Sequence, residues 1–73
     1  MNDAASAMSI TLNGERREIP AGLSVATLLD HLALRADRVA IERNGEILAK
    51  SAWASTAISA DDRFEIVQLV GGG

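Results

Sequence analysis

The chain has 73 residues, of which 48% are apolar and 23% charged, and it carries a net charge of −3 and no cysteine. This length allows one small domain that buries roughly 60% of the surface of its unfolded chain, which excludes a deep substrate cavity. The lack of cysteine excludes disulfides, thiolate nucleophiles and cysteine-based metal sites, and the negative charge argues against a nucleic-acid partner. No apolar run approaches the ~20 residues of a membrane span, and no signal peptide is recognisable at the start. We therefore expect a soluble, cytoplasmic protein.

The first predicted element is a β-hairpin. Residues 1–7 are small and polar, and we expect them to form a mobile lead-in before the domain at residues 8–70. Apolar and polar residues alternate over residues 8–12, as in a half-buried strand. Asn13 and Gly14 follow, a pair typical of a two-residue hairpin turn. Residues 16–19 then form the second predicted strand.

One helix follows this hairpin. Ser24 can cap its first turn, and apolar side chains recur on one face at Val25, Leu28, Leu29 and Leu32. The predicted length is roughly ten residues, too short to persist alone in water, so the helix must pack on a sheet.

The second half of the chain predicts another hairpin and a final strand. The alternation at residues 39–42, the pair Asn44-Gly45 and the short apolar run at 46–48 indicate strands three and four. Residues 50–60 are predicted to be a connection with one helical turn, in which Trp53 fills the core rather than anchoring an interface. Asp61 and Asp62 are predicted to form a turn with solvated carboxylates.

Residues 63–70 form the longest predicted strand, and its alternation assigns two faces. Phe64 and Ile66 should face the helix, whereas Val67 and Leu69 should lie on the open face of the sheet. Together with Val70 they would form a docking surface that leads into the C-terminus. The alternative is that Val67 and Leu69 pack beneath the segment around Trp53.

The chain ends in Gly71-Gly72-Gly73. We expect these three glycines to form a thin, flexible tail. Such a tail suits threading of the backbone into a narrow partner site, with chemistry at the terminal carboxylate; the alternative is a frayed end without function.

Elsewhere the sequence contains no catalytic constellation and no metal-ligand cluster. His31 is expected to be an exposed residue near the helix end. Nothing outside the tail therefore indicates an enzyme.

The element order indicates an α+β fold with four to five strands in a mixed sheet, and it resembles the ubiquitin-like β-grasp fold. Within that fold the chain resembles the ThiS family of sulfur carriers in thiamine biosynthesis. The resemblance covers nearly all of residues 8–73, and the segments that carry it are residues 12–15, 22–29, 39–47, 51–54, 65–67 and 70–73. Ala49-Lys50 stands where the family often has Pro-Arg, and many members end in two glycines rather than three.

The resemblance implies that a ThiF-type enzyme uses ATP to adenylate the carboxylate of Gly73. Sulfur from a persulfide donor then converts it to a thiocarboxylate, which supplies sulfur to the thiazole synthase ThiG. Gly71 and Gly72 would thread into both partners. No cofactor is expected to stay bound, no membrane partner is expected, and the free protein should be monomeric.

Three alternatives stay open at this point. The chain could be a MoaD-type sulfur carrier for molybdopterin synthesis, which would share the activation chemistry. It could be a ubiquitin-like modifier joined to lysines through Gly73. It could also be an interaction module with an inert tail.

Overall fold

The computed structural model describes residues 7–69. Its elements are five strands, one α-helix and two short 3-10 helices. In chain order they are β1 (Ala7–Leu12), β2 (Glu15–Pro20), α1 (Val25–His31), a 3-10 helix (Ala36–Arg38), β3 (Val39–Arg43), β4 (Glu46–Ile47), a second 3-10 helix (Lys50–Ser55) and β5 (Arg63–Gln68). The predicted order of hairpin, helix, hairpin, connection and final strand is confirmed.

The five strands form one mixed sheet in the order β2-β1-β5-β3-β4. Strand β5 runs parallel to β1 and antiparallel to β3, while both hairpins are antiparallel. The last strand in sequence is therefore the central strand in space. This arrangement confirms the predicted α+β class and places the strand that leads to the C-terminus where neighbours hold it on both sides.

Both predicted hairpin turns are present. Asn13 and Gly14 have φ angles of 50° and 84°, and Asn44 and Gly45 have 52° and 89°. Positive φ at both central residues is the geometry of a type I′ turn, which matches the twist of the flanking strands. The first hairpin begins one residue earlier than expected, because Ala7 already pairs with Pro20 in the ladder and is not part of a mobile lead-in.

Helix α1 begins where the sequence predicts and ends earlier. The Ser24 hydroxyl accepts from the main-chain N–H of Thr27, and the Thr27 hydroxyl accepts from the N–H of Ser24, which makes a capping box. The helix has seven residues instead of roughly ten. It ends because Ala33 adopts a left-handed conformation with φ 60°, and the N–H of Leu34 then donates to the carbonyl of Leu29.

The core lies between α1 and one face of the sheet. Trp53, in the second 3-10 helix, is 4% exposed, and its indole Nε1 donates to the carbonyl of Leu48 at 3.0 Å. The interpretation of Trp53 as a core residue is confirmed. The other buried apolar residues are Ile10, Leu12, Ile19, Val25, Leu28, Leu29, Val39, Ile41, Ile58, Phe64 and Ile66.

Candidate functional site: the open sheet face and the exit of the C-terminus

Strand β5 carries the chain to the exit point of the C-terminal segment. The main-chain N–H of Leu69 donates to the carbonyl of Arg38 at 2.7 Å, so the last described residue is still fixed to the domain. The predicted attachment residue Gly73, the threading residues Gly71 and Gly72, and the predicted docking residue Val70 lie outside the described residues.

The asparagine of the first turn extends the hold of β1 on β5. The parallel ladder between these strands has only two residue pairs, and it ends at Leu12. The side chain of Asn13 continues it, because its Nδ2 donates to the carbonyl of Ile66 at 3.2 Å and its Oδ1 accepts from the N–H of Ile66 at 2.8 Å. One side-chain amide thus supplies the donor and the acceptor that a further strand residue would supply.

The asparagine of the second turn holds the other end of β5. Its main-chain N–H donates to the carbonyl of Arg63 at 2.7 Å, and its Oδ1 accepts from the N–H of Arg63 at 2.9 Å. Asn44 and Asn13 therefore bind β5 near its first and fourth residues, from opposite sides. We call this pair of side chains the asparagine clamps. The sequence predicted both turns, but it did not predict the hydrogen bonds from their asparagine side chains to β5.

Asp62 lies just before β5 and is buried, at 6% exposure. Its carboxylate accepts from Arg43 Nε and Nη2 at 3.1 and 3.0 Å, from Asn44 Nδ2 at 3.1 Å and from the N–H of Ser59 at 2.9 Å. Burial alone would raise the pKa of this carboxyl, but the hydrogen bonds from Ser59, Asn44 and Arg43 outweigh burial and lower the pKa. The expectation of two solvated carboxylates is therefore wrong for Asp62, although it holds for Asp61, which is exposed and pairs with Arg16.

The face of the sheet opposite α1 carries exposed apolar side chains. Val67 is 57% exposed and Leu69 is 52% exposed, as the alternation predicted, although Leu69 borders a depression that Trp53 also lines. Ile47 is 82% exposed on the same face, and sequence analysis did not select it. The sequence contained the signal for this exposure. A two-residue turn at Asn44-Gly45 places Ile47 opposite Glu42 in the ladder, so both side chains must point outward.

Residues 7–69 do not contain a metal-binding group of three or more His, Asp or Glu side chains. Within the same range no helix has the length and apolarity needed to cross a membrane. His31 is exposed at the last position of α1, as expected. The chemically distinctive feature of the described part is thus the sheet face itself and the anchored strand that leads to the terminus.

Comparison with known proteins decides the family. A profile of the ThiS family matches residues 10–73, which includes the terminal glycines. The chain belongs to the ThiS family. The crystal structure of the thiamine biosynthesis protein ThiS from Geobacter metallireducens superimposes with a TM-score of 0.78 at 33% identity, over 90% of this chain and 100% of that one. The β-grasp fold expected from the resemblance is confirmed.

Two sequence relatives place this ThiS-family domain in different contexts. A thiazole synthase of Paramagnetospirillum magneticum is 42% identical over 66 residues, which are 90% of this chain and 20% of that protein. The chain therefore spans about one fifth of the length of the curated thiazole synthases that it matches. The protein ycf40 of Porphyra purpurea is 39% identical over 66 residues, which cover 93% of its length. Segments similar to this chain thus make up nearly all of one relative and about a fifth of another.

Proposed function

We propose that this protein is a sulfur carrier in thiamine biosynthesis and that its reactive group is the carboxylate of Gly73. The observation that carries the proposal is the ThiS-family match through the terminal glycines, which follow the anchored central strand in the sequence. The protein acts as a cytoplasmic co-substrate rather than an enzyme. It binds no cofactor of its own, and ATP is consumed by the activating enzyme.

The chemistry follows from the properties of a carboxyl terminus. An α-carboxyl has a pKa of roughly 3.3–3.7 and is ionised at neutral pH, so it can attack the α-phosphorus of ATP on a ThiF-type enzyme and displace pyrophosphate. A persulfide sulfur then attacks the acyl carbon and displaces AMP. A thiol then attacks the donor sulfur of this acyl disulfide, so that the S–S bond breaks, the thiocarboxylate leaves, and the thiol and the donor remain joined as a disulfide. Glycines at positions 71–73 let the bare backbone approach the nucleotide closely.

The acceptor of the sulfur is a thiazole synthase of the ThiG type. The relatives that contain a domain of this kind within a thiazole synthase support this choice, because a carrier and its acceptor gain a high effective concentration when one chain holds both. The docking surface would be the open sheet face around Val67 and Leu69, continued by Val70.

The test is the intact mass of the protein after incubation with a ThiF-type enzyme, ATP and a persulfide donor. We expect an increase equal to the replacement of one oxygen by sulfur, located at Gly73. A variant that lacks Gly72 and Gly73 should fold normally and gain nothing, since both residues lie outside the described sheet and core. An unchanged mass, with the enzyme proven active on another carrier, would contradict the proposal.

Transfer of the sulfur to a thiazole synthase then separates ThiS-type from MoaD-type function. We expect the thiocarboxylate to be consumed in the presence of the thiazole synthase and its other substrates, and not in the presence of a molybdopterin synthase subunit. Consumption by the molybdopterin enzyme alone would favour the MoaD-type alternative. Isopeptide-linked products on lysines would favour the modifier alternative.

A further inference from the structure

Two glutamates face each other on the open side of the sheet. Glu42 of β3 and Glu65 of β5 are direct partners in the antiparallel ladder, and both are exposed. Like charges at directly opposite positions destabilise a sheet. Within residues 7–69 neither carboxylate forms an ion pair. The fold therefore carries a like-charge pair that has no ion-pair partner among the described residues.

Neither nearby arginine forms an ion pair with these glutamates within 4.0 Å, although Arg63 borders a depression that both glutamates also line. Arg43, next to Glu42 in sequence, points to the other side and binds Asp62. Arg63 lies two residues before Glu65 on the same face, but it makes no ion pair with either glutamate within 4.0 Å. The position where a cation would bridge Glu42 and Glu65 is thus open to a group from another molecule.

These carboxylates border an apolar groove. The groove has a volume of about 430 Å³ and is lined by Ala40, Ile41, Glu42, Ile47, Glu65 and Val67. Val67 pairs with Ala40 one row farther along the sheet, and Leu69 follows at the exit of the terminal segment. The groove therefore joins a charged row to an apolar row, and since two residues of a strand advance about 7 Å, Leu69 lies about 7 Å beyond the apolar row.

The combination specifies the chemistry of an occupant. Opposite side chains of an antiparallel pair have Cβ atoms about 4.5–5.5 Å apart, so one planar guanidinium can donate to both carboxylates. A partner that covered the glutamates without a cation would leave buried charges unpaired, at a large cost. A divalent metal is a poorer candidate, because the described residues offer no third ligand here.

We propose that Glu42 and Glu65 form an arginine-binding pair that sets the register of the thiazole synthase on this groove, with an apolar side chain of the synthase against Val67 and Ala40. The proposal rests on the proposed function and adds the recognition chemistry of its acceptor. The thiazole synthase is chosen because domains similar to this chain occur within proteins of that name. A register set at the glutamates fixes where the terminal segment enters the partner.

The test measures binding of the protein to a thiazole synthase by calorimetry, together with thermal unfolding. The double variant Glu42→Gln and Glu65→Gln should weaken binding about tenfold or more, and its Tm should stay equal or rise, because the repulsion is removed. Binding by the unaltered protein should also weaken more steeply with added salt than binding by the variant. The control is Glu18→Gln, an exposed residue of β2 outside the groove, which should bind as the unaltered protein does.

The outcomes separate this proposal from the proposed function. Equal affinity of the double variant and the unaltered protein overturns the arginine-binding pair while sulfur charging at Gly73, measured by mass, still stands. Slower charging by the activating enzyme with unchanged synthase binding assigns the pair to the wrong partner and also overturns the proposal. Loss of synthase binding with normal charging supports it.

Discussion

At the scale of single residues, the asparagine clamps replace strand pairing with side-chain amides. Each clamp depends on a backbone conformation that few residues accept, because Asn13 and Asn44 both have positive φ. Asparagine tolerates this region better than most residues, and its amide carries a donor and an acceptor at once. The same residue type therefore makes the turn and holds the neighbouring strand.

Replacing either asparagine by glycine should separate these two roles. Asn13→Gly keeps the turn geometry but removes both bonds to Ile66, so we expect a loss of about 1–2 kcal/mol in the free energy of unfolding. The amide of Ile66 should exchange its hydrogen faster, measured by NMR. Asn44→Gly is the control for this readout, since it frees the amide of Arg63 and removes the bond to Asp62 but leaves the bonds to Ile66 in place. Unaltered exchange at Ile66 in Asn13→Gly would contradict the clamp.

At the scale of elements, helix α1 is terminated by an alanine, Ala33, that adopts a left-handed conformation. The N–H of Ala33 donates to the carbonyl of Asp30 and that of Leu34 to Leu29, the two bonds of a Schellman motif. This motif requires a left-handed residue, which is usually glycine. An alanine there is strained by roughly 1–2 kcal/mol, and the motif ends the helix without the usual glycine signal in the sequence.

Ala33→Gly should therefore stabilise the protein. The relieved strain exceeds the added entropy of glycine in the unfolded chain, which is about 0.4–1 kcal/mol, so we expect a gain of about 0.5 kcal/mol or more. In a domain of this size that gain raises the Tm by roughly 2–4 °C, which calorimetry can measure. Ala54→Gly, in the second 3-10 helix and also exposed, should lower the Tm. A lower Tm for Ala33→Gly would show that the left-handed alanine is not strained.

At the scale of the whole molecule, the Asp62 cluster ties the segment before β5 to the second hairpin, and it makes stability depend on pH. The pKa of the Asp62 carboxyl is lowered in the folded state. A lowered pKa means that the folded state favours the ionised form, so its contribution is complete above the unfolded pKa. That contribution falls as the pH drops through about 4 and toward the lower folded pKa.

Urea unfolding between pH 7 and pH 2.5 tests this dependence. Asp62→Asn should cost about 1–3 kcal/mol at pH 7 and should flatten the decline in unfolding free energy below about pH 4. Asp61→Asn, at an exposed neighbour, should change stability at pH 7 by less than about 0.5 kcal/mol. An acid decline of equal steepness in the unaltered protein and Asp62→Asn would assign it to other carboxyls.

Whether the sequence predicts a feature depends on how far apart in the chain the residues that determine it lie. The turns at Asn13 and Asn44, the start of α1 at Ser24 and the faces of β5 follow from neighbouring residues, and all were predicted correctly. The burial of Asp62 was not, because it requires Arg43 and Asn44 to approach from the second hairpin, 19 and 18 residues earlier in the chain. The clamp on Ile66 likewise joins positions 53 residues apart, and no local pattern reports such a contact.

The asparagine clamps also bear on how the protein ages. In an Asn-Gly pair the glycine nitrogen can attack the side-chain amide carbon and expel ammonia, and the cyclic product opens to aspartate or isoaspartate; asparagine is for this reason counted among the thermolabile residues. In the folded protein both amides are held in hydrogen bonds to β5, which restrains this attack. Unfolded molecules lack that restraint, and a converted residue can no longer donate to the carbonyl of Ile66. An asparagine that is converted while the protein is unfolded therefore stays converted after refolding. The refolded protein then lacks a hydrogen bond to β5, the strand that leads to its terminus.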